Sequence, residues 1–258
     1  MSTLAMTFAD SKTMLRRNLV HAKRYPAMTV SLLIMPIVML LMFNYIFGGA
    51  LKGATGGQKY IEYLTPGMML IIPAYMVAGI AVSVCSDMTK GIVNRFRTMH
   101  ISHSSVLTGT VLGSLLQGLA GIGVLTLVAL LLGFRSHDAG ALEWLAAFGL
   151  LGLTIFALSW VGAGFGVIAQ NPESASNMPT PIIMLPFLGS GLVPTDTMPA
   201  GVKQFAEYQP FTPITETLRG LLMGTEIGHN GILAVGWCVL LGGVGYFWST
   251  SAFRRKTS

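Results

Sequence analysis

Charge is what this chain has least of. Only 10% of its 258 residues are Asp, Glu, Lys or Arg, while 52% are hydrophobic. A water-soluble domain carries about 25% charged residues. Too few charges are left to cover a water-facing surface, so the composition, with a mean hydropathy of +0.65, is that of a membrane protein. Cysteine is almost missing as well. Cys85 and Cys238 both lie in apolar runs, which leaves no disulfide framework and no CxxC pair. A nucleotide-binding P-loop is absent too, because Gly57-Gln58-Lys59 breaks the Gly-Lys step that such a loop requires. No charge lies well inside any apolar window, whereas proton-driven carriers use carboxylates or histidines at membrane depth as relays. If this chain moves anything uphill, another subunit supplies the energy.

What is present is a series of long uncharged windows. Residues 25–51, 63–86, 98–134, 144–172, 174–195 and 227–253 contain no Asp, Glu, Lys or Arg. Each exceeds the ~20 residues that cross a ~30 Å hydrocarbon core at ~1.5 Å per residue. The expectation is an all-α polytopic membrane protein forming one domain over 1–258. Its six spans fall near 28–47, 66–86, 106–133, 145–169, 178–194 and 231–252. Pro179, Pro181 and Pro186 predict a kinked or partly broken fifth span, since proline removes a backbone donor. The N-terminal stretch lacks a small-residue cleavage site after a short apolar core, so the first apolar run is expected to remain as a membrane helix.

The basic residues orient this array. With the N-terminus inside, eleven of the sixteen Lys and Arg fall on the cytoplasmic side and seven of the ten acids outside. Both termini are then cytoplasmic, and the net charge of +6 reflects topology and anionic lipid, not nucleic acid. Residues 1–26 include Phe8, Leu15, Leu19 and Ala22 at near-helical spacing with Lys12, Arg16 and Lys23 on other faces, the pattern of an amphipathic interfacial helix. Gly162 and Gly166, like Gly109 and Gly113, stand four apart and let helix backbones approach closely.

One cytoplasmic loop stands out. In "GIVNRFRTMHISHSSVL", Arg95, Arg97, His100 and His103 alternate with Ile92, Val93, Phe96, Met99 and Ile101. The two histidines can share a helix face, but no Cys, Asp or Glu beside them completes a tetrahedral metal set. Positive-inside retention accounts for the arginines without an anion. The apolar content is more than a turn needs, and fits a short amphipathic helix docked on a partner.

From Asp87, "DMTKGIVNRFRTMHIS" resembles the first cytoplasmic loop of ABC-2 type permeases, in particular the daunorubicin-resistance drug-export group. Asp87, Gly91, Arg95, Phe96, Arg97, Ile101 and Ser102 carry the match; His100 stands where that group commonly has proline, and Thr110 where it often has a basic residue. A second stretch, "LPFLGSGLVPTDTMPAGVKQFAEYQPFTPITETLRGLLMG", is similar to the family's C-terminal signature through Gly191, Pro194, Pro199, Pro210, Pro213 and Arg219. On its own residues, 195–226 suits short helices at or dipping into the outer interface, punctuated by proline, with Phe205, Phe211, Leu218 and Leu221 as an apolar side. Glu216 and Arg219, three apart, are placed for an ion pair at low dielectric.

The resemblance implies the membrane-spanning subunit of an ATP-driven exporter, binding no cofactor itself. ATP and magnesium would sit on a separate ATPase subunit, and a second copy or a related permease would complete the pore. Residues 87–105, with Asp87, Gly91, Arg95, Phe96, Arg97, His100, Ile101 and Ser102, would be the coupling helix. The cargo would be a hydrophobic or amphipathic drug or secondary metabolite, as in multidrug efflux and antibiotic resistance, leaving through a bacterial cell membrane. Two alternatives stay open: a lipid-linked glycan or other envelope component as cargo, and a self-sufficient channel. An enzyme would need converging acid, base or metal groups at membrane depth, and the sequence offers none.

Overall fold

The computed structural model describes residues 26–51, 59–89, 103–136 and 139–257. The interfacial-helix expectation for 1–26 and the coupling-loop residues Gly91, Arg95, Phe96, Arg97, His100, Ile101 and Ser102 lie outside the described residues. Among those described, every regular element is helical. In chain order they are α1 (Pro26–Met42), a π-helical turn (Phe43–Phe47), α2 (Gly48–Leu51), α3 (Tyr60–Thr89), α4 (His103–Leu131) and α5 (Ala141–Ile168). Then follow α6 (Pro172–Asn177), α7 (Thr180–Met184), two short 3-10 turns (Leu185–Leu188 and Thr195–Thr197), α8 (Ala200–Tyr208), α9 (Phe211–Met223) and α10 (Asn230–Thr257).

Four of these, Tyr60–Thr89, Leu107–Leu131, Ala141–Ile168 and Asn230–Lys256, are long and apolar enough to cross a membrane. They coincide with four of the uncharged windows, since an apolar run removed from water satisfies its backbone groups best as a helix. The second begins earlier than expected, taking Tyr60 and Glu62 into its first turn. The first window is helical through α1, the π turn and α2, and contains Pro36.

The fifth window departs from a single span. Between Pro172 and Leu192 the chain forms α6, α7, a 3-10 turn and irregular backbone, and none of these pieces is long enough to cross alone. Pro179 caps α7, Pro181 lies in its first turn, and Pro186 opens the 3-10 turn. Each proline removes one helical donor, and three within eight positions leave no uninterrupted ladder.

Helix packing sets the directions. A Cβ on Gly162 would stand 2.8 Å from the Val77 carbonyl oxygen, and one on Gly166 2.5 Å from that of Ala81, so α3 and α5 run parallel in backbone contact. A Cβ on Gly242 would stand 3.5 Å from Ala157 Cα and one on Gly245 2.8 Å from Val161 N, so α10 runs parallel to α5. Edge-to-face rings of Trp160 with Tyr246 and Phe165 with Trp248 fill the α5–α10 seam, at centroid separations of 4.8 and 5.1 Å. Three parallel helices require two return paths. The first is α4. The second is the broken stretch, which starts with Ala175 packed beside Ala81 and Cys85 and arrives with Gly191 against Gly67. Along α3 that is a climb of roughly 21–27 Å.

Short local signals shape the connections. Asn171 accepts from Ser174 N at 2.8 Å and caps α6, with Pro172 in its first turn. Glu143 accepts from Gly140 N at 2.8 Å at the start of α5. Gly224 ends α9 in the left-handed region at φ 70°, where glycine avoids the Cβ penalty.

Candidate functional site: a buried arginine joint at one end of the bundle

Of the expected site residues that are described, Gly191 and Arg219 meet where α3 begins, whereas Asp87 lies at its other end. Pro194 and Pro199 precede the 3-10 turn at Thr195 and the helix α8, and Pro210 precedes α9, which holds Pro213 in its first turn. Proline suits these places because the first helical donors have no intrahelical acceptor. α8 is largely exposed. Lys203 pairs with Asp196 at 2.6 Å and lies 3.7 Å from Glu207, and the hydrogen bond and charge of Asp196 raise its pKa above the ordinary lysine value. α9 is the opposite case, with Phe211, Ile214, Leu218 and Leu222 in the core. The expected apolar side therefore divides: Phe211 and Leu218 face inward, whereas Phe205, on α8, is half exposed.

Arg219 is 5% exposed and is the centre of the arrangement. Its Nη1 donates to Glu216 Oε1 at 2.5 Å, one helical turn back, as the spacing predicts. Its Nη2 donates to two backbone carbonyls, Tyr63 at 3.2 Å and Ser190 at 3.1 Å. The guanidinium carbon lies 3.8 Å from the centroid of the Tyr63 ring. Tyr63 in turn donates its hydroxyl to the Ser190 carbonyl at 2.8 Å, and Tyr60 donates to that of Leu192 at 3.0 Å. A single arginine thus ties α3, the end of the broken stretch and α9 together.

The loop 189–192 is held from its other side too. Ser190 N donates to Thr212 Oγ1 at 3.2 Å, Gln209 Nε2 donates to the same oxygen at 3.1 Å, and Gln209 Oε1 accepts from Phe211 N at 3.2 Å. Gly191 lies on Gly67 so closely that a Cβ at Gly67 would collide with the Gly191 backbone. Pro66, just before it, has no N–H for the carbonyl of Glu62, and the carbonyl beside that one, Tyr63's, is the one Arg219 reaches.

Magnitudes decide what such a joint does. Hydrogen bonds from a charged donor contribute ~1.5–3 kcal/mol each, and a cation over a desolvated ring adds ~2 kcal/mol. Against this, Arg219 Nε and Ser190 Oγ are buried without a hydrogen-bond partner. A buried polar atom left unpaired costs ~1–3 kcal/mol. The joint is strong in its contacts and incomplete in its satisfaction. It carries no nucleophile beside a base, and among the described residues no three His, Cys, Asp or Glu gather as a metal set.

Asp87, the described member of the coupling group, lies in the last turn of α3, at the far end of the same helix. Sequence reasoning found the Glu216–Arg219 pair because it is local. It missed Tyr60, Tyr63, Ser190, Gln209 and Thr212, whose partners are brought from elements up to 132 residues away. The signal that was available was two tyrosines three apart, beside Glu62, at the mouth of an apolar run.

Closely packed long apolar helices, with a buried polar joint at one end, are the architecture of a membrane-embedded protein. The chain belongs to the ABC-2 type transporter family, whose profile matches residues 10–223. It is 31% identical over 223 residues to the daunorubicin resistance ABC transporter permease protein DrrB1 of Streptomyces coeruleorubidus, covering 86% of this chain and 77% of that protein. It is also 21% identical over 207 residues to the probable doxorubicin resistance ABC transporter permease protein DrrC of Mycobacterium tuberculosis, covering 77% of this chain and 71% of the relative. The resemblance read from the two sequence stretches is thereby established.

Proposed function

We propose that this chain is the transmembrane permease subunit of an ATP-binding cassette exporter that moves hydrophobic or amphipathic drugs out of a bacterial cell. The observation that carries the reading is the 31% identity, over most of both chains, with a permease named for daunorubicin resistance. A separate ATPase subunit energises it, and a second copy or a related permease pairs with it. The chain crosses the membrane six times: through the first helical window, the four long helices, and the broken stretch as the return path that parallel α5 and α10 demand. Residues 195–226 form the outer segment, with α9 embedded and α8 at the interface. Residues 87–105 dock on the ATPase, so that its closure moves α3 and α4, the helices that flank the loop.

The test joins association with coupling. Detergent-purified protein co-purifies with a separate ATPase, and drug export depends on its ATP hydrolysis. Arg95→Glu reverses a charge on the docking face and Phe96→Ala removes its apolar anchor. Both variants leave ATP hydrolysis running while export falls. Normal export in both sinks the coupling role of the loop.

A further inference from the structure

We propose that Arg219 is the latch of the outer face, a positioning residue for transport that releases when α3 is moved from its other end. This rests on the exporter reading for its trigger, but the latch itself rests on geometry alone. Three features point to it. The first is where the contacts fall. Every bond that holds the end of the broken stretch to α3, from Arg219, Tyr63 and Tyr60, ends on a backbone carbonyl of the loop 190–192 or of α3 itself. Carbonyl acceptors can be exchanged for others as one element slides along another, with no side-chain partner that has to be matched.

The second feature is incompleteness. Arg219 Nε and Ser190 Oγ are both buried and unpartnered at the heart of the joint. Arg219 thus keeps an N–H that no protein group occupies, available to another acceptor when a neighbouring element shifts. The third feature is leverage. α3 stays one helix of 30 residues through Pro66 and Pro73, which each remove one ladder bond, and its burial and backbone contact with α5 let it carry displacement from end to end. Asp87, in its last turn, adjoins the coupling loop, and Tyr60 and Tyr63, in its first turn, adjoin the latch. When the loop is driven, the ring and carbonyl of Tyr63 move beneath the guanidinium, and the 189–192 loop is freed to swing from the exit.

Ser190 supplies the probe. It is 2% exposed and its hydroxyl has no partner, so Ser190→Cys removes no bond. In a background with Cys85→Ser and Cys238→Ser, maleimide labelling of Ser190→Cys reports opening. In the purified chain without any ATPase, Arg219→Ala raises the labelling rate at least about tenfold, as loss of charge-assisted bonds does to a local opening equilibrium. Arg219→Lys keeps the charge but not the fork, and falls between. Tyr63→Phe keeps the ring under the cation, removes one bond to Ser190, and raises labelling by about threefold. It serves as the readout if Arg219→Ala does not fold. Labelling that is unchanged in Tyr63→Phe and in a folded Arg219 variant overturns the latch.

The second arm uses the complete exporter in membrane vesicles. With Arg219 intact, ATP hydrolysis accelerates labelling of Ser190→Cys, and Arg219→Ala abolishes that dependence by leaving the loop open throughout. Labelling indifferent to ATP in a complex that hydrolyses it and exports overturns the release step. A native chain with neither associated ATPase nor export strikes the exporter reading instead, and the purified-chain arm still decides the latch.

Discussion

At the scale of single residues, the joint makes sharp demands on glycine. Gly67 must be glycine because the Gly191 backbone occupies the place of its Cβ, and backbone cannot swing aside as a side chain can. Gly67→Ala should therefore lower stability by about 1–3 kcal/mol, the typical range for overpacking. Gly79, on the same helix, meets nothing within 4 Å of a built Cβ. Gly79→Ala should be neutral or stabilise by up to ~1 kcal/mol through helix propensity. Thermal unfolding in one detergent compares the two directly, and an equal effect of both would refute the close approach of Gly67 and Gly191. Glu216 allows a second comparison. Its side chain keeps 29% exposure while Arg219 keeps 6%. Glu216→Gln should cost about 2 kcal/mol, below the ~3–5 kcal/mol of a fully buried pair, because water still reaches the carboxylate side. A melting temperature equal to that of the native protein would show that the carbonyls alone hold the guanidinium.

At the scale of elements, the seam between α3 and α5 depends on Gly162 and Gly166, one turn apart and each pressed on a carbonyl of α3. Small residues at this spacing let dispersion and backbone contact replace the hydrophobic driving force that lipid does not provide. Gly166→Val should separate the helices and lower the unfolding temperature markedly, whereas Gly149→Val, on the same helix but facing open space, should not. That seam was legible in the sequence, because two glycines four apart in an uncharged run state a face. So were the four long helices, since absence of charge is a property of the run itself. The π turn at Phe43–Phe47 had no such mark. The breaking of the fifth window was visible in its prolines, but not where the pieces would go. The latch was half legible. Glu216 and Arg219 find each other within one helix, while Tyr63 and Ser190 are set by tertiary packing that no local spacing encodes.

At the scale of the whole molecule, the parallel run of α3, α5 and α10 sorts the charges between two ends. At the end where these helices start, the described acids Glu62, Glu143, Asp196, Glu207, Glu216 and Glu226 outnumber the bases Lys59, Arg135, Lys203 and Arg219. At the end where they finish, Arg254, Arg255 and Lys256 close α10 and outnumber the described acids Asp87 and Glu173, and Lys256 Nζ donates to the carbonyl of Ala169, just past α5, at 3.3 Å. Cations at helix C-termini also meet the negative end of the macrodipole, so this end is basic for local as well as topological reasons. We propose from the positive-inside rule that the basic end is cytoplasmic. A fluorescent protein that matures only in the cytoplasm should then glow when fused after Ser258, and a phosphatase active only outside should work when inserted between α4 and α5. The opposite pattern at both sites would invert the molecule. Arg219 would then stand at the cytoplasmic face, and its joint with Tyr63 could no longer govern the exit. Because the two reporters read opposite compartments, a signal from both fixes the orientation without any need for the transported compound.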